Sequence, residues 1–395
     1  MTHKIFLRKS RIRNFVFLVG ILVLSLTACR KEERPLDFDK VYVTEGLMRP
    51  DGSLPGEVTG FYLLNQGNMG SNKASLDYFD YGGGVYYRNL FAALNPQVSM
   101  ELGDVGNDLK IWRDRLYAVI NCSNLVEVLD VRTGKHLGTF SIPNCRYIAF
   151  DGDYGYVSSY AGPVSIDPSA RPGKIVKVDL STLEAVEECT VGYQPDQLAV
   201  VSGKLYVANS GGYRAPSYDR RISVLDLTDF KLEGELEVGL NAQLILALPD
   251  ERLLVGCSGN YQDIPARAYL IHTADGRVEA LDYGLSGMSL GKGFIYAYSQ
   301  DWSGKESPRY FKADASTLKI LDHQLIKDGT DKNIKMPYSI TVHPETGDFF
   351  ITDARDYVTP GKLYCYGADG NLRWSVTTGD IPACIAFTYR PVRIE

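Results

Sequence analysis

One strand pattern recurs seven times along this chain. In the copy over residues 204–227, two apolar stretches flank a polar loop that contains Gly211, Gly212 and Pro216. Their β-branched, aromatic and aliphatic residues suit a half-buried sheet, and glycine and proline interrupt strands. The strongest apolar positions of the seven copies are Tyr62, Tyr117, Tyr156, Tyr206, Leu254, Tyr296 and Phe350, at spacings of 39 to 55 residues. A period of about 40–50 residues with four short strands is typical of propeller blades. The sequence therefore predicts an all-β, seven-bladed β-propeller, with six or eight blades as alternatives.

The two ends of this propeller are predicted to meet in one blade. Only tether-like sequence precedes the strand that holds Tyr62, whereas an additional apolar strand at residues 383–387 follows the last complete blade. If this C-terminal strand becomes the innermost strand of the first blade, the ring closes and no long sheet edge stays exposed.

The first 28 residues resemble a bacterial lipoprotein signal peptide. Five basic residues precede an apolar run of about ten to twelve residues, which is shorter than the roughly 20 that span a bilayer. The run ends in a lipobox, Leu26-Thr27-Ala28-Cys29, which implies cleavage before Cys29 and acylation of that cysteine. The sequence Lys31-Glu32-Glu33 resembles a surface-export signal of Gram-negative lipoproteins. The alternative is an uncleaved anchor helix.

These features divide the chain into three parts. Residues 1–28 are predicted to be the signal peptide, residues 29–57 a partly ordered tether after acylated Cys29, and residues 58–395 the propeller. The predicted location is the outer membrane, through a lipid anchor, with exposure at the cell surface. The formal net charge is −6, and loss of the five basic residues of the signal would make it −11. An acidic chain without a basic stripe is a poor ligand for nucleic acids.

The longer loops of the predicted propeller fall on one face, which we call the upper face. It carries the connections between the second and third strands of each blade and those between blades. These loops are rich in Asn, Gln and Tyr, so we expect binding there. The candidate residues between blades are Asn107, Asp108, Asn144, Arg146, Tyr193, Gln194 and Asn241. The candidate residues in loops are Asn65, Asn68, Asn121, Ser123, Tyr160, Asn209, Tyr213, Arg214, Tyr261, Trp302 and Tyr357.

The sequence predicts neither a metal site nor a catalytic site. Apart from His3 in the signal, histidines fall at lower turns or strand ends (His136, His272 and His343) or in an outer strand (His323), so we expect none on the upper face. No nucleophile elbow, P-loop or dinucleotide fingerprint occurs. Asp108, Asp196 and Asp353 could form a carboxylate cluster at the ring mouth, although we favour a role as acceptors for backbone amides.

Six cysteines follow Cys29. Cys145, Cys257, Cys365 and Cys384 lie in or beside strand patterns, which favours small buried side chains. Cys122 and Cys145 occur in matching Asn-Cys contexts of neighbouring blades, so a disulfide between them is an open alternative.

Residues 205–209 resemble the repeats of YncE-like, or YVTN-repeat, propellers. Further stretches, at residues 65–77, 102–108, 191–195, 208–216 and 335–338, resemble the BtuG group of surface lipoproteins that bind vitamin B12 (cobalamin) beside an outer-membrane transporter. The resemblance extends over residues 60–390. It implies a cobalamin or corrinoid as bound ligand, no intrinsic cofactor, a TonB-dependent cobalamin transporter as partner, and contact with the membrane through the lipid anchor.

A corrinoid is broad and fringed with amides, which suits a shallow bowl of Asn, Gln, Tyr and Arg. Arg146 and Arg214 are the expected partners of its phosphate, with Tyr193, Tyr213 and Trp302 as flat contacts. Two other classes stay open. One is a surface scaffold or adhesion propeller that binds a polymer or a protein. The other is a propeller lactonase or lyase, which would need convergent carboxylates that hold a metal.

Overall fold

The computed structural model describes residues 39–42, 58–302, 306–390 and 392, with the backbone alone for 39–42. The predictions for the signal peptide, for acylation of Cys29 and for Lys31-Glu32-Glu33 lie outside these residues. In the described part of the chain no helix is long and apolar enough to cross a membrane.

Seven antiparallel sheets form the blades of a β-propeller. Blade 1 contains, from the innermost strand outward, β29 (Pro382–Thr388), β2 (Gly60–Asn65), β3 (Ser75–Asp80), β4 (Val85–Arg88) and β1 (Asp39–Tyr42). Blade 2 contains β5 (Gly106–Trp112), β6 (Arg115–Ile120), β7 (Leu125–Asp130) and β8 (His136–Ser141). Blade 3 contains β9 (Cys145–Asp151), β10 (Tyr154–Ser159), β11 (Lys174–Asp179) and β12 (Glu184–Thr190).

The remaining four blades follow the same order. Blade 4 contains β13 (Pro195–Val201), β14 (Lys204–Asn209), β15 (Arg221–Asp226) and β16 (Lys231–Glu237). Blade 5 contains β17 (Ala242–Ala247), β18 (Arg252–Cys257), β19 (Arg267–His272) and β20 (Val278–Ala280). Blade 6 contains β21 (Gly287–Gly291), β22 (Phe294–Ser299), β23 (Arg309–Asp314) and β24 (Ile320–Asp322). Blade 7 contains β25 (Pro337–Val342), β26 (Phe349–Asp353), β27 (Pro360–Tyr366) and β28 (Leu372–Asp380).

The predicted ring closure is confirmed. Strand β29 pairs antiparallel with β2, so that Ala386 lies opposite Tyr62 and Phe387 opposite Phe61. At the outer edge of the same blade, β1 pairs with β4 and covers its free edge. The prediction of a partly ordered tether did not place this strand, because four residues without an alternating pattern give no local signal.

The core lies between adjacent blades. All seven of the apolar positions that defined the repeat are at most 3% exposed. At the junction of blades 1 and 7, Phe61, Phe79, Phe350 and Trp374 pack together, with ring centres of contacting pairs 5.0 to 6.0 Å apart. Such aromatic contacts add stabilisation beyond the burial of apolar area. The junction that closes the ring is therefore packed as a core.

One short α-helix, α1 (Leu90–Leu94), follows β4, and residues Thr330–Asn333 form a 3-10 turn. Leu90 and Phe91 are almost fully buried. The carboxylate of Asp77 accepts hydrogen bonds from the hydroxyl of Tyr86 and from the backbone N–H of Asn89, both at 2.8 Å. The sequence did not indicate this helix because five residues are too few for a helical repeat to show.

The six cysteines after Cys29 are all free thiols, Cys122 and Cys145 included. Cys145, Cys257 and Cys365 are buried as expected, and Cys384 is half-buried.

Candidate functional site

The mouth of the ring on the upper face is built from one repeated backbone hydrogen bond. In six of the seven blades, the carbonyl before the innermost strand accepts from the N–H of the residue after the second strand, at 2.7 to 3.2 Å. The six accepting residues are Ile381, Val105, Asn144, Gln194, Asn241 and Met336. The first five have φ between 47° and 63°, a conformation that β-branched residues such as Val105 and Ile381 rarely adopt. We call this arrangement the mouth clamp.

The residue after each clamp is small or proline, and the next one lies in a β-bulge. In the same six blades the pairing register between the innermost and second strands shifts near the start of the innermost strand. At that point the innermost strand has one residue more than the strand it pairs with. Bulges redirect side chains. The second residues of these six strands are Ala383, Asn107, Arg146, Asp196, Gln243 and Tyr338. They form a ring around the mouth, one from each clamped blade.

Arg146 is the cation among these six residues at the mouth. Its Nε lies 3.4 Å from Asp196 Oδ1, and its guanidinium lies 4.7 Å from the centre of the Tyr160 ring. The side chain of Arg146 is 15% exposed, and its two terminal nitrogens donate to no acceptor among the described residues. Burial lowers the pKa of Arg146, but the neighbouring Tyr160 and Asp196 outweigh burial and raise it above its ordinary value. Arg146 is therefore a charged donor with unused hydrogen-bonding capacity.

Tyrosines surround this guanidinium. The hydroxyl of Tyr160 donates to Asp196 Oδ1 at 2.8 Å, and the ring of Tyr160 packs edge-on against Tyr213. Burial raises the pKa values of Tyr147 and Tyr160, so both hydroxyls stay protonated near neutral pH. On the blade 7 side, Tyr338 donates a hydrogen bond to Gln66 Oε1.

Most of the amide candidates support the loops from inside. Asn65, Asn107, Asn121, Asn144, Gln194, Asn209 and Asn241 are at most 8% exposed. Asn121 Nδ2 donates to Asn144 Oδ1 and to the carbonyl of Cys145, and Asn209 Nδ2 donates to the carbonyl of Arg221 and to Ser223 Oγ. These contacts satisfy buried polar groups in turns that lack strand partners. The structure thus uses these side chains to hold the loops that carry the site.

Two carboxylates of the upper face act as acceptors for backbone amides. Asp108 accepts from the N–H groups of Leu109 and Ile148, and Asp353 from those of Lys335, Met336 and Arg355. Asp108 and Asp353 thus have the role that we favoured over a carboxylate cluster, whereas Asp196 accepts from the hydroxyl of Tyr160 and lies beside Arg146. Among the described residues no group of three or more His, Cys, Asp or Glu side chains could hold a metal ion.

Arg214 joins two upper loops. Its Nη1 donates to the carbonyl of Ser217 and its Nη2 to that of Pro168, at 2.8 and 3.1 Å, and its guanidinium stacks 3.6 Å from the centre of the Tyr193 ring. Both terminal nitrogens are thus engaged within the protein. Of the two arginines predicted to meet a phosphate, Arg146 has the free donors.

Three further candidates lie in the surrounding loops. Ser123 Oγ accepts from the N–H of Asp104, the carbonyl of half-buried Asn68 accepts from the N–H of Ser71, and Tyr357 packs edge-on against Tyr338. Sequence analysis missed Tyr147, Gln243 and Tyr338 as candidates. A comparison of the residues that follow the Pro, Gly, Ala or Cys at the start of each innermost strand could have found Gln243 and Tyr338.

Tyr261 and Trp302 lie at a second feature, a cleft of about 870 Å³ between the upper loops of blades 5 and 6. The fourth strands of these blades, β20 and β24, have three residues each, whereas those of the other blades have four to nine. Blade 6 also differs at the mouth, since Gln300 N–H donates to Ser286 Oγ and the register of β21 shows no bulge. Short outer strands leave the upper edge of this pair of blades uncovered.

The prediction that no histidine lies on the upper face is wrong for His323. Strand β24 ends at Asp322, so His323 falls beyond the strand, in the upper connection to blade 7, and lines the cleft. A three-residue strand was too short to locate from the sequence. His136, His272 and His343 lie at the predicted strand ends and lower turns.

No protein-family model matches this chain, and no curated protein matches its sequence. Solved structures match its fold. A hypothetical selenium-binding protein from Sulfolobus tokodaii superposes with a TM-score of 0.61 at 12% identity, over 90% of this chain and 100% of that protein. A quinoprotein alcohol dehydrogenase-like protein from Bacteroides thetaiotaomicron superposes with a TM-score of 0.59 at 15% identity, over 84% of this chain and 78% of that protein. Hydrazine synthase from Kuenenia stuttgartiensis superposes with a TM-score of 0.53 at 16% identity, over 67% of this chain and 77% of that protein. The chain is a seven-bladed β-propeller, and at these identities the likeness to solved structures shows the fold alone.

Proposed function

We propose that this protein binds a cobalamin-type corrinoid over the mouth of the ring. In this proposal a lipid anchor on Cys29 holds the protein on the outer face of the outer membrane, and a TonB-dependent transporter receives the ligand. The observation that carries the binding proposal is Arg146, whose terminal nitrogens have no acceptor among the described residues at a mouth lined by tyrosines. The sequence resemblance to cobalamin-binding lipoproteins supports the choice of ligand.

The chemistry of the mouth suits this ligand. The single phosphate of cobalamin is an anion, and a guanidinium binds phosphate oxygens through two parallel charge-assisted hydrogen bonds. The amides that fringe a corrin ring both donate and accept, which matches the hydroxyls of Tyr147 and Tyr213. Tyrosine also offers a flat apolar surface at low entropic cost.

The mouth clamp supports tight binding. Six backbone hydrogen bonds and the buried amides fix the loops before any ligand arrives. Preorganised sites lose less conformational freedom on association, so more of the contact energy contributes to affinity.

Calorimetric titration with cyanocobalamin tests the proposal. We expect wild-type protein to bind and to keep the absorption of the corrinoid after desalting. Arg146→Ala removes the cationic donor and should weaken binding by about 10- to 100-fold, equivalent to roughly 1–3 kcal/mol. Arg146→Lys keeps the charge but not the paired donors, so we expect an intermediate loss.

The matched control is Arg277→Ala, an exposed arginine in the turn before β20, on the opposite face. It should leave affinity unchanged. No heat and no retained colour with wild type would contradict the proposal, and unchanged affinity in Arg146→Ala would remove Arg146 from the site.

A further inference from the structure

We propose that the cleft between blades 5 and 6 is a second ligand site and that it takes a neutral oligosaccharide. This inference rests on the cleft alone and does not depend on corrinoid binding at the mouth. The cleft runs from Tyr261, whose hydroxyl accepts from Gln243 Nε2 at 3.1 Å, to His323 beside the outermost strand of blade 6.

The size and origin of the cleft indicate a site for a small molecule. Its volume of about 870 Å³ falls within the roughly 300–1,000 Å³ that is usual for such sites. It exists because β20 and β24 are only three residues long. Described residues of two upper loops, such as Tyr261 and Ile264 in blade 5 and Trp302 and Glu306 in blade 6, therefore line it without an outer strand between them.

Two exposed aromatic side chains stand at right angles in this cleft. Tyr261 is 43% exposed and Trp302 is 48% exposed, with ring centres 6.3 Å apart and ring planes at 89°. Exposed tryptophan is costly to leave in water and is enriched at binding sites. The C–H faces of pyranose rings are apolar and pack flat on indole and phenol rings. A perpendicular pair offers such contacts to two sugar units of one chain.

The charged side chains of the cleft disfavour an anionic ligand. Four carboxylates and two guanidinium groups line it. Arg309 pairs with Glu306 at 2.7 Å, and Asp263 accepts from Asn260 at 2.7 Å. Carboxylates such as that of Asp282 outnumber the guanidinium groups, so they would repel an anionic ligand.

These groups nevertheless keep hydrogen-bonding capacity for a ligand. Arg267 uses its Nε on the carbonyl of Leu281 at 2.9 Å, and its terminal nitrogens have no acceptor among the described residues. A carboxylate such as that of Glu306 has two oxygens with about four acceptor sites, of which Arg309 occupies one. Sugar hydroxyls donate and accept at once, so they can use both kinds of group without a net charge.

Titration with a panel of neutral trisaccharides, built from glucose, mannose, galactose, xylose or N-acetylglucosamine, tests the inference. Trp302 is far more exposed than Trp374, which is 7% exposed. We therefore expect a binding sugar to shift the tryptophan fluorescence and to protect it from acrylamide quenching. Trp302→Ala should weaken that sugar by about tenfold or more, and Tyr261→Ala by a similar factor.

The matched control is Tyr389→Ala, an aromatic residue that is 57% exposed and lies outside the cleft. It should bind sugar like wild type. Arg146→Ala should also keep sugar binding, which separates this inference from the proposed function. If cobalamin does not bind but a sugar does, the proposed function fails and this inference stands.

Three results would overturn the inference that the cleft binds a neutral oligosaccharide. One is a panel in which no sugar binds at about 10 mM. Another is wild-type sugar affinity in the Trp302→Ala, Tyr261→Ala double variant. The third is a response to tetramethylammonium or inorganic phosphate with no response to any sugar.

Discussion

The hydroxyl of Tyr160 donates a 2.8 Å hydrogen bond to Asp196 Oδ1, the same carboxylate oxygen that lies 3.4 Å from Arg146 Nε. One buried carboxylate thus orients both the phenol and the guanidinium at the mouth. Tyr160 directly follows the second strand of blade 3, whereas Asp196 belongs to the innermost strand of blade 4. The contact therefore also joins two neighbouring blades.

Asp196→Asn should reveal this joint role. The amide keeps the shape of the side chain but removes the counter-charge of Arg146, so we expect the free energy of unfolding to fall by about 1–3 kcal/mol. Denaturant unfolding, monitored by tyrosine fluorescence, measures this change in the free energy of unfolding. Tyr160→Phe removes only one hydrogen bond and should cost about 0.5–1.5 kcal/mol. Equal stability of Asp196→Asn and wild type would mean that the contact does not stabilise the mouth.

Ring closure gives a second prediction. Deletion from Ile381 onward removes β29 and uncovers β2, including the partners of Phe61 and Tyr62. Because whole domains are stable by only about 5–15 kcal/mol, we expect insolubility or a large fall in the unfolding midpoint. A chain that ends after Tyr389 keeps β29 and serves as the control. If the longer deletion melts like this control, β29 does not hold the ring closed.

The pair of Glu127 and His136 predicts a dependence of stability on pH. Burial raises the pKa of Glu127 above its ordinary value of 4.5, although the hydrogen bond with His136 opposes the shift. A carboxyl group whose pKa is raised in the folded state contributes stability at low pH, and that contribution is lost as the pH rises through the folded-state pKa.

Glu127→Gln cannot ionise and should therefore gain stability relative to wild type as the pH rises from 4 to 8. Chemical denaturation at several pH values measures the difference. Glu187→Gln, on the exposed strand β12, is the control and should show no such trend. A constant difference between Glu127→Gln and wild type across this range would contradict the assignment.

Thiol chemistry checks the free cysteines. Burial raises the pKa of Cys145 to about 12 and that of Cys122 above its ordinary value. Since the thiolate is the reactive form, both should react slowly with a thiol reagent in the native protein. In denaturant without reductant, all six thiols after Cys29 should titrate. A count of four would show a disulfide.

The lipid anchor remains a prediction from the sequence. Cys29→Ala should move the protein out of the membrane fraction, because no acyl chains can be attached. Replacement of Glu32 and Glu33 by alanine should keep the protein in the membrane but protect it from added protease. Full membrane association of Cys29→Ala would contradict acylation.

The blade count and the ring closure could be predicted from the sequence. Each blade has its own strands and tight turns, and these leave a local pattern of apolar residues, glycine and proline. The additional strand after blade 7 left a single place for its partner, beside the strand that holds Tyr62. The loops of the upper face followed from the order of strands within a blade.

Which side chains face the mouth was decided only by tertiary structure. A β-bulge at the start of an innermost strand re-aims the residues after it, and strand alternation does not predict a bulge. The sequence predicts that Asn121 and Asn209 are surface amides in the upper loops. In the structure their side chains are buried, because backbone carbonyls of neighbouring segments need hydrogen-bond donors. The cleft beside Trp302 depends on how short β20 and β24 are, and pairing at the outer edge of a blade sets that length. The sequence by itself thus determined the propeller and the face that carries its long loops, whereas packing between blades decided which side chains on that face are engaged within the protein.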